Sequence, residues 1–328
     1  MTQHNTPHNA GEKKILAVRI IAYTLFAISL YITVPAFFNI VASPHVLSQV
    51  ACIACDVNNP SFTDVSIDAK SVYVYDIKND RVLFSKNAES QLPLASVTKV
   101  MTALVAEEYL PPAFPVRILT EDLSTEGESG FFEGDVFSSS DLIDIVLTAS
   151  SNDGAYALAR VAGARIGEGN IPEKTFIHAM NEKAQTLGLS QTFFLNATGL
   201  DESSSVAGAY GSARDMAHLF GYIAVHKPVL LDATAHDELY IAGRIFRNTD
   251  LIVGNIPGLL GSKTGFTDLA GGNLVVVFEP EPMRPVVVVV LGSTREHRFS
   301  DVKNLVSAAI RTFLPPDIRS DATVSTVE

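Results

Sequence analysis

A chain of 328 residues is long enough to bury a sizeable core, as one large domain or two small ones. Its formal net charge of -12 disfavours nucleic acid as a partner held by simple charge attraction. The histidines are scattered, with no H-E-x-x-H pair on any helical pattern, which weighs against a zinc peptidase.

Ile20 to Asn39 carries no charged residue and at helical rise spans about 30 Å, the thickness of a bilayer's hydrocarbon core. Lys13, Lys14 and Arg19 precede it, and no Lys or Arg follows until Lys70. The positive-inside rule then keeps the N-terminus cytoplasmic and exports the rest. The run is longer than a usual signal-peptide core, which favours an uncleaved anchor over a signal cleaved near the small residues Ala42 and Ser43. The expected order is a cytoplasmic tail (1–14), a transmembrane signal anchor (15–42) and a tether (43–68) that includes Asn58, Asn59, Pro60 and Ser61. Cys52 and Cys55 form a C-x-x-C with no second pair or His nearby. A four-ligand zinc site is not supported, and the pair reads as incidental linker cysteines.

Ser71 to Ile77 is β-branched and aromatic, and Val82-Leu83-Phe84 resumes after a Lys78-Asn79-Asp80-Arg81 turn, which predicts a hairpin. Then Val97, Met101, Leu104, Val105 and Tyr109 recur as one helical stripe, stopped by Pro111 and Pro112. Ser96 falls where this helix begins, near unpaired N–H groups, with Lys99 three residues on along the same face. Ser-x-x-Lys is a nucleophile beside an amine base. As a plain N-cap Ser96 would carry no chemistry, and Ser300 to Lys303 repeats the spacing.

Thr120 to Asp135, with Gly127, Gly130 and Gly134, reads as a loop, after which Ser140 is expected to cap a helix from Asp141 to Leu147. That helix empties into T-A-S-S-N-D-G, holding Ser150-x-Asn152, ahead of an Ala-rich helix from Ala155 to Ala164. Two helical patterns follow: Phe176, Met180, Ala184 and Leu187 ended by Gly188, then Met216, Leu219, Phe220 and Ile223 with Ser212 and Asp215 as a capping box. Leu239 to Phe246 reads as a hairpin turning at Ala242-Gly243. Lys263-Thr264-Gly265 occurs once, ahead of strands at Asn273 to Phe278 and Val286 to Leu291. A strand carrying Lys and Thr outward beside a bare Gly lets a substrate backbone lie against it while the Lys holds a carboxylate. Ser300 is expected to cap the last helix, striped by Val302, Leu305, Val306, Ala309 and Phe313 and ended by Pro315 and Pro316, leaving 317–328 frayed.

Ser96-x-x-Lys99, Ser150-x-Asn152 and Lys263-Thr264-Gly265, in that order on helix start, inter-helix loop and strand, form the triplet of the penicillin-recognising serine enzymes. The chain resembles the D-alanyl-D-alanine carboxypeptidases, the low-molecular-weight penicillin-binding proteins. The phrases that carry the resemblance are L-P-L-A-S-V-T-K-V-M-T-A-L, L-T-A-S-S-N-D-G-A-Y-A-L-A, T-F-F-L-N-A-T-G-L and G-S-K-T-G-F-T-D-L-A-G-G-N-L-V. It implies an α+β fold of the β-lactamase/transpeptidase type, a central and mainly antiparallel sheet flanked by helices, over a catalytic domain at 69–316.

Carried over, the family mechanism makes Ser96 the nucleophile on the carbonyl between two D-alanines, with Lys99 the base and Ser150 the relay to the leaving amine. Asn152 would bind the substrate amide, and Lys263 and Thr264 its terminal carboxylate beside Gly265. The backbone N–H groups of Ser96 and Phe266 would form the oxyanion hole. Arg298 is either a second carboxylate ligand or a solvated surface residue. The implied partners are a peptidoglycan stem peptide ending in D-Ala-D-Ala, β-lactams as covalent inhibitors and the membrane, with no metal or cofactor. Two departures stand out: Phe266 where the family often has a polar residue, and no C-terminal β domain after the last helix.

The rivals are a D,D-endopeptidase using the same residues, a β-lactamase and a non-catalytic penicillin-binding module. Class A β-lactamases carry a Glu four residues ahead of an Asn. None of Glu168, Glu173, Glu182, Glu202 or Glu238 has that spacing, and Ser151 stands where those enzymes have Asp.

Overall fold

The computed structural model describes residues 59–315, except 125, 126, 128, 129 and 168–170. The expected span at 15–42, Cys52, Cys55 and the tail at 317–328 lie outside the described residues. No helix among the described residues is long and apolar enough to cross a membrane.

Five strands make the central sheet: β1 (Ser71–Asp76), β2 (Arg81–Lys86), β3 (Leu259–Thr267), β4 (Gly271–Phe278) and β5 (Val286–Ser293). Their order is β3-β4-β5-β1-β2, and every neighbouring pair is antiparallel. The predicted hairpin is therefore the β1–β2 pair, while β5 closes beside β1 in the register Ser71 to Leu291.

The sheet is buried on both faces, and its period-two alternation sorts the side chains between two layers. Tyr73, Tyr75, Val275, Val277, Val287, Val289 and Leu291 face the helical layer. That layer contains α1 (Lys99–Tyr109), α2 (Ser139–Thr148), α3 (Asn152–Ile166), α4 (Pro172–Thr186) and α5 (Ala213–His226). Val72, Val74, Leu274, Val276, Val286 and Val288 face the other way, onto α6 (His297–Phe313).

The end of the expected tether is packed into this second layer. Phe62 is buried and stacks on Phe84 at 5.2 Å, and Asn59 Nδ2 donates to Thr312 Oγ1 at 3.1 Å. The buried Asp301 carboxylate accepts from the backbone N–H groups of Asp68 (3.1 Å) and Ala69 (3.0 Å) and from Ser293 Oγ (2.7 Å).

Four local expectations change. Every residue of α1 from Lys99 to Ala106 is buried, so this is a core helix covered all round rather than one with a single apolar stripe. Ser138, not Ser140, caps α2, accepting from Asp141 N at 3.1 Å. α6 begins at His297, one turn ahead of the expected Ser300 cap, and Ser300 Oγ donates to the His297 carbonyl at 2.9 Å. Ser212 does cap α5, but the Asp215 carboxylate turns to Gln191 N and Thr192 Oγ1 instead of closing a box.

Candidate active site

Ser96 lies in a 3-10 turn, Ala95–Thr98, that runs directly into α1. The residue before it, Ala95, is held at φ 48, a left-handed conformation that costs an alanine about 1–2 kcal/mol. One turn on, Lys99 is fully buried. Its Nζ is 2.9 Å from Ser96 Oγ, 2.7 Å from Asn152 Oδ1 and 2.8 Å from the Thr198 carbonyl. All three partners are neutral. Burial first, and the neighbouring Lys263 charge second, push the Lys99 amine well below the ordinary lysine range. With two N–H groups on Asn152 and Thr198, the lone pair of a neutral amine is left for the Ser96 hydroxyl proton.

The second wall comes from the α2–α3 connection. Ser151 caps α3 by accepting from Gly154 N at 2.9 Å, which places Asn152 as the first residue of that helix. Ser150 is held at φ 60, the second non-glycine in the left-handed region within the site. A Cβ on Gly154 would come within 2.7 Å of Val146, so its absence lets α2 and α3 close against each other.

The third wall is β3, at the edge of the sheet. Lys263 and Thr264, expected to face outward, are almost wholly covered. Lys263 Nζ donates to Ser150 Oγ at 2.9 Å and to the Thr264 carbonyl at 3.0 Å. The Thr264 and Thr249 hydroxyls are 2.6 Å apart. Burial and the Arg298 charge bring Lys263 down to about 7, against an upward pull from Asp250. Arg298 is buried, not solvated: its Nη1 donates to the Gly265 carbonyl at 2.7 Å, and burial brings the guanidinium down to about 10. Phe266 is 39% exposed, with the Arg295 guanidinium 5.0 Å from its ring centroid.

Gly265 has a role in the chain's own packing. A Cβ there would meet the Leu94 carbonyl at 2.9 Å and Ser96 N at 3.2 Å. The missing side chain thus lets β3 close against the turn that carries Ser96.

The structure brings Ser96, Lys99, Ser150, Asn152, Lys263, Thr264 and Gly265 into one cleft, with Arg298 behind the strand. Sequence reasoning missed Thr198, Thr249, Asp250 and Asn273. Thr198 acts through its carbonyl, held by Asn196 Oδ1, which accepts from Thr198 N (3.1 Å) and Gly199 N (2.7 Å). The phrase N-A-T-G-L was the signal. Asn273, fully buried in an apolar strand, donates to the Pro93 and Leu94 carbonyls at 3.0 Å each.

The family described as D-alanyl-D-alanine carboxypeptidase (peptidase S11) matches residues 56–295. A D-alanyl-D-alanine carboxypeptidase of Escherichia coli is 32% identical over 80% of this chain and 66% of its own length. A D-alanyl-D-alanine endopeptidase of Pseudomonas aeruginosa is 29% identical over 72% of this chain and 75% of its own. Penicillin-binding protein D2 of Listeria monocytogenes, in an ampicillin-bound form, superposes with a TM-score of 0.64 at 29% identity, over 75% of this chain and 98% of that one. The chain spans 62–66% of the length of the first carboxypeptidases it matches. With the antiparallel sheet, the ordered triplet and this match across most of its length, the chain belongs to peptidase family S11, the D-alanyl-D-alanine carboxypeptidases.

Proposed function

We propose that this chain is a serine D-Ala-D-Ala carboxypeptidase that removes the terminal D-alanine from peptidoglycan stem pentapeptides. The observation that carries the reading is the buried Lys99 amine within hydrogen-bond distance of Ser96 Oγ, its other partners all uncharged. Neutral Lys99 takes the hydroxyl proton as Ser96 Oγ attacks the carbonyl of the penultimate D-alanine. The developing oxyanion is met by the backbone N–H groups of Ser96 and Phe266. Ser150, beside Lys263, passes a proton to the departing amine, and free D-alanine leaves an acyl ester on Ser96 that water hydrolyses.

The substrate backbone adds to the free edge of β3. Asn152 binds its amide, and Lys263 and Thr264 hold its terminal carboxylate. Lys263 meets that carboxylate as the ammonium, which an incoming negative charge favours. Arg298 fixes the strand through Gly265 and adds positive potential from behind. Release of D-alanine from a D-Ala-D-Ala pentapeptide tests the activity. Ser96→Ala should abolish it, and an active Ser96→Ala protein would sink the mechanism.

The P. aeruginosa relative favours a second reading, a D,D-endopeptidase cutting crosslinks with the same residues. Product analysis on pentapeptide against crosslinked dimer separates the two.

β-Lactams are proposed as covalent inhibitors rather than substrates. The lactamase Glu-to-Asn spacing is lacking, so the penicilloyl ester has no dedicated base, and a general base contributes about 10²–10⁴ in rate. Mass spectrometry after a penicillin pulse should find the adduct outliving many peptide turnovers; sustained nitrocefin hydrolysis would reverse this assignment.

The charge pattern around 15–42 supports a single-pass anchor with a cytoplasmic N-terminus and an extracytoplasmic catalytic domain. External protease that removes an N-terminal tag from intact cells would contradict that topology.

A further inference from the structure

Asn273 sits on β4 among residues that are otherwise apolar, with no solvent exposure. Its amide is occupied at both ends. Nδ2 donates to the Pro93 and Leu94 carbonyls, and Oδ1 accepts from Gly292 N on β5 at 2.8 Å. Leu94 is also held from another side, its N–H donating to the Ala209 carbonyl at 3.0 Å. The next residue is the left-handed Ala95, and the one after it is Ser96. The Leu94 carbonyl is the same atom that a Cβ on Gly265 would strike. One peptide group ahead of the serine is therefore gripped by β4 and flanked by β3.

We propose that Asn273 is a positioning residue for the nucleophile. By holding the Pro93 and Leu94 carbonyls against the sheet, its amide fixes Ala95 in the left-handed region. That in turn sets the approach of Ser96 Oγ to Lys99 Nζ and the direction of the Ser96 N–H. A disfavoured backbone angle persists only where its surroundings over-determine it. Released from the amide, Ala95 relaxes towards an ordinary φ and carries Ser96 away from the amine. Asn273 touches no substrate, so its effect falls on the chemical step and not on binding. The inference rests on the reading of Ser96 as the acylated residue.

The test separates the two. A fluorescent penicillin is reacted across a range of concentrations, which resolves the binding constant from the first-order acylation constant. Labelled wild type and unlabelled Ser96→Ala establish the nucleophile first; without that result the functional reading itself fails. Asn273→Asp keeps the oxygen that accepts from Gly292 and loses both donors, while Asn273→Leu keeps the bulk and loses every polar contact. Both should lower the acylation constant tenfold or more, a rise in barrier of about 1.4 kcal/mol, with binding changed by less than about threefold.

Folded variants that acylate at the wild-type rate, or lose binding alone, overturn the proposal. So does wild-type behaviour of Asn273→Asp beside a crippled Asn273→Leu, which would assign the amide to the β4–β5 link. If neither variant folds, Gly265→Ala decides. It displaces the same Leu94 carbonyl from β3 and should slow acylation; unchanged acylation there counts against the latch.

Discussion

The two lysines of the site have the same chemistry and opposite proposed tasks, and the walls that hold them differ accordingly. On the helical wall Lys99 is fully buried and meets only a hydroxyl, an amide oxygen and a peptide carbonyl. Among the described residues nothing hydrogen-bonded to Lys99 balances a positive charge. On the strand wall Lys263 is as deeply buried, but the Asp250 carboxylate pulls its pKa back up, to about 7, against burial and Arg298. An amine surrounded by neutral acceptors surrenders its proton, whereas one near a carboxylate stays poised to carry charge when a second carboxylate arrives. The proposed base and the proposed anion-binding lysine thus differ in that an acidic residue outside the three motifs acts on Lys263, although burial raises the pKa of that Asp250 carboxyl as well.

Removing the base breaks the comparison most severely. Lys99→Arg puts a guanidinium that cannot deprotonate beside Ser96, and acylation should fall by about 10²–10⁴-fold. Penicillin labelling rates measure this. Arginine supporting labelling at near wild-type speed would mean that another group takes the proton.

On the opposite wall, Lys263→Gln keeps a donor and loses the charge. A hydrogen bond to a charged group contributes about 1.5–3 kcal/mol, so kcat/KM for the pentapeptide should drop by roughly 10–100-fold. C-terminally amidated substrate, which has no carboxylate to hold, should feel little of that loss. An equal penalty on both substrates would move Lys263 from binding into chemistry.

A pH profile sharpens the comparison without touching either lysine. The proposed mechanism needs Lys99 neutral, so activity should be lost as pH falls through that lowered pKa. It needs Lys263 charged, so activity should be lost as pH rises through about 7 in the free enzyme. The profile of kcat/KM is therefore a bell with its alkaline limb near neutrality, and the limb of kcat lies higher because bound carboxylate stabilises the ammonium. Asp250 raises the Lys263 pKa, so Asp250→Asn should move the alkaline limb of kcat/KM to lower pH. A limb that stays fixed or moves up would remove Asp250 from the account.

How much of this the sequence disclosed depends on where each effect resides. Ser96 and Lys99, or Ser150 and Asn152, are neighbours in the chain, and local helix and loop geometry fixes their relation; their spacing was therefore readable. So were the apolar runs, Asn273 to Phe278 and Val286 to Leu291, that form β4 and β5. The grouping of Asp250, Thr249 and Asn273 around the strand depends on which strand is the edge and on β5 pairing with β1, and no local pattern carries that. Thr198 contributes a backbone carbonyl, which its own side chain does not reveal; the trace it leaves is the neighbouring Asn196 of N-A-T-G-L. Gly265 was legible as a close-approach position, but the partner in the structure is the Leu94–Ser96 turn.

The smallest effect concerns the other Ser-x-x-Lys. Ser300 and Lys303 share the spacing of Ser96 and Lys99, and both motifs sit on helices. Their surroundings differ completely. Lys303 is exposed on α6, whereas Lys99 is fully buried. Ser300 is also exposed, and its hydroxyl is spent on the His297 carbonyl within its own helix. α6 covers the layer of the sheet facing away from α1–α5. Ser300→Ala removes one solvent-exposed hydrogen bond, worth at most about 0.5 kcal/mol at such a surface position. Thermal unfolding, penicillin labelling and D-alanine release should all match the wild type. A loss of labelling in that variant would mean that spacing alone makes the nucleophile, contrary to the burial argument for Lys99.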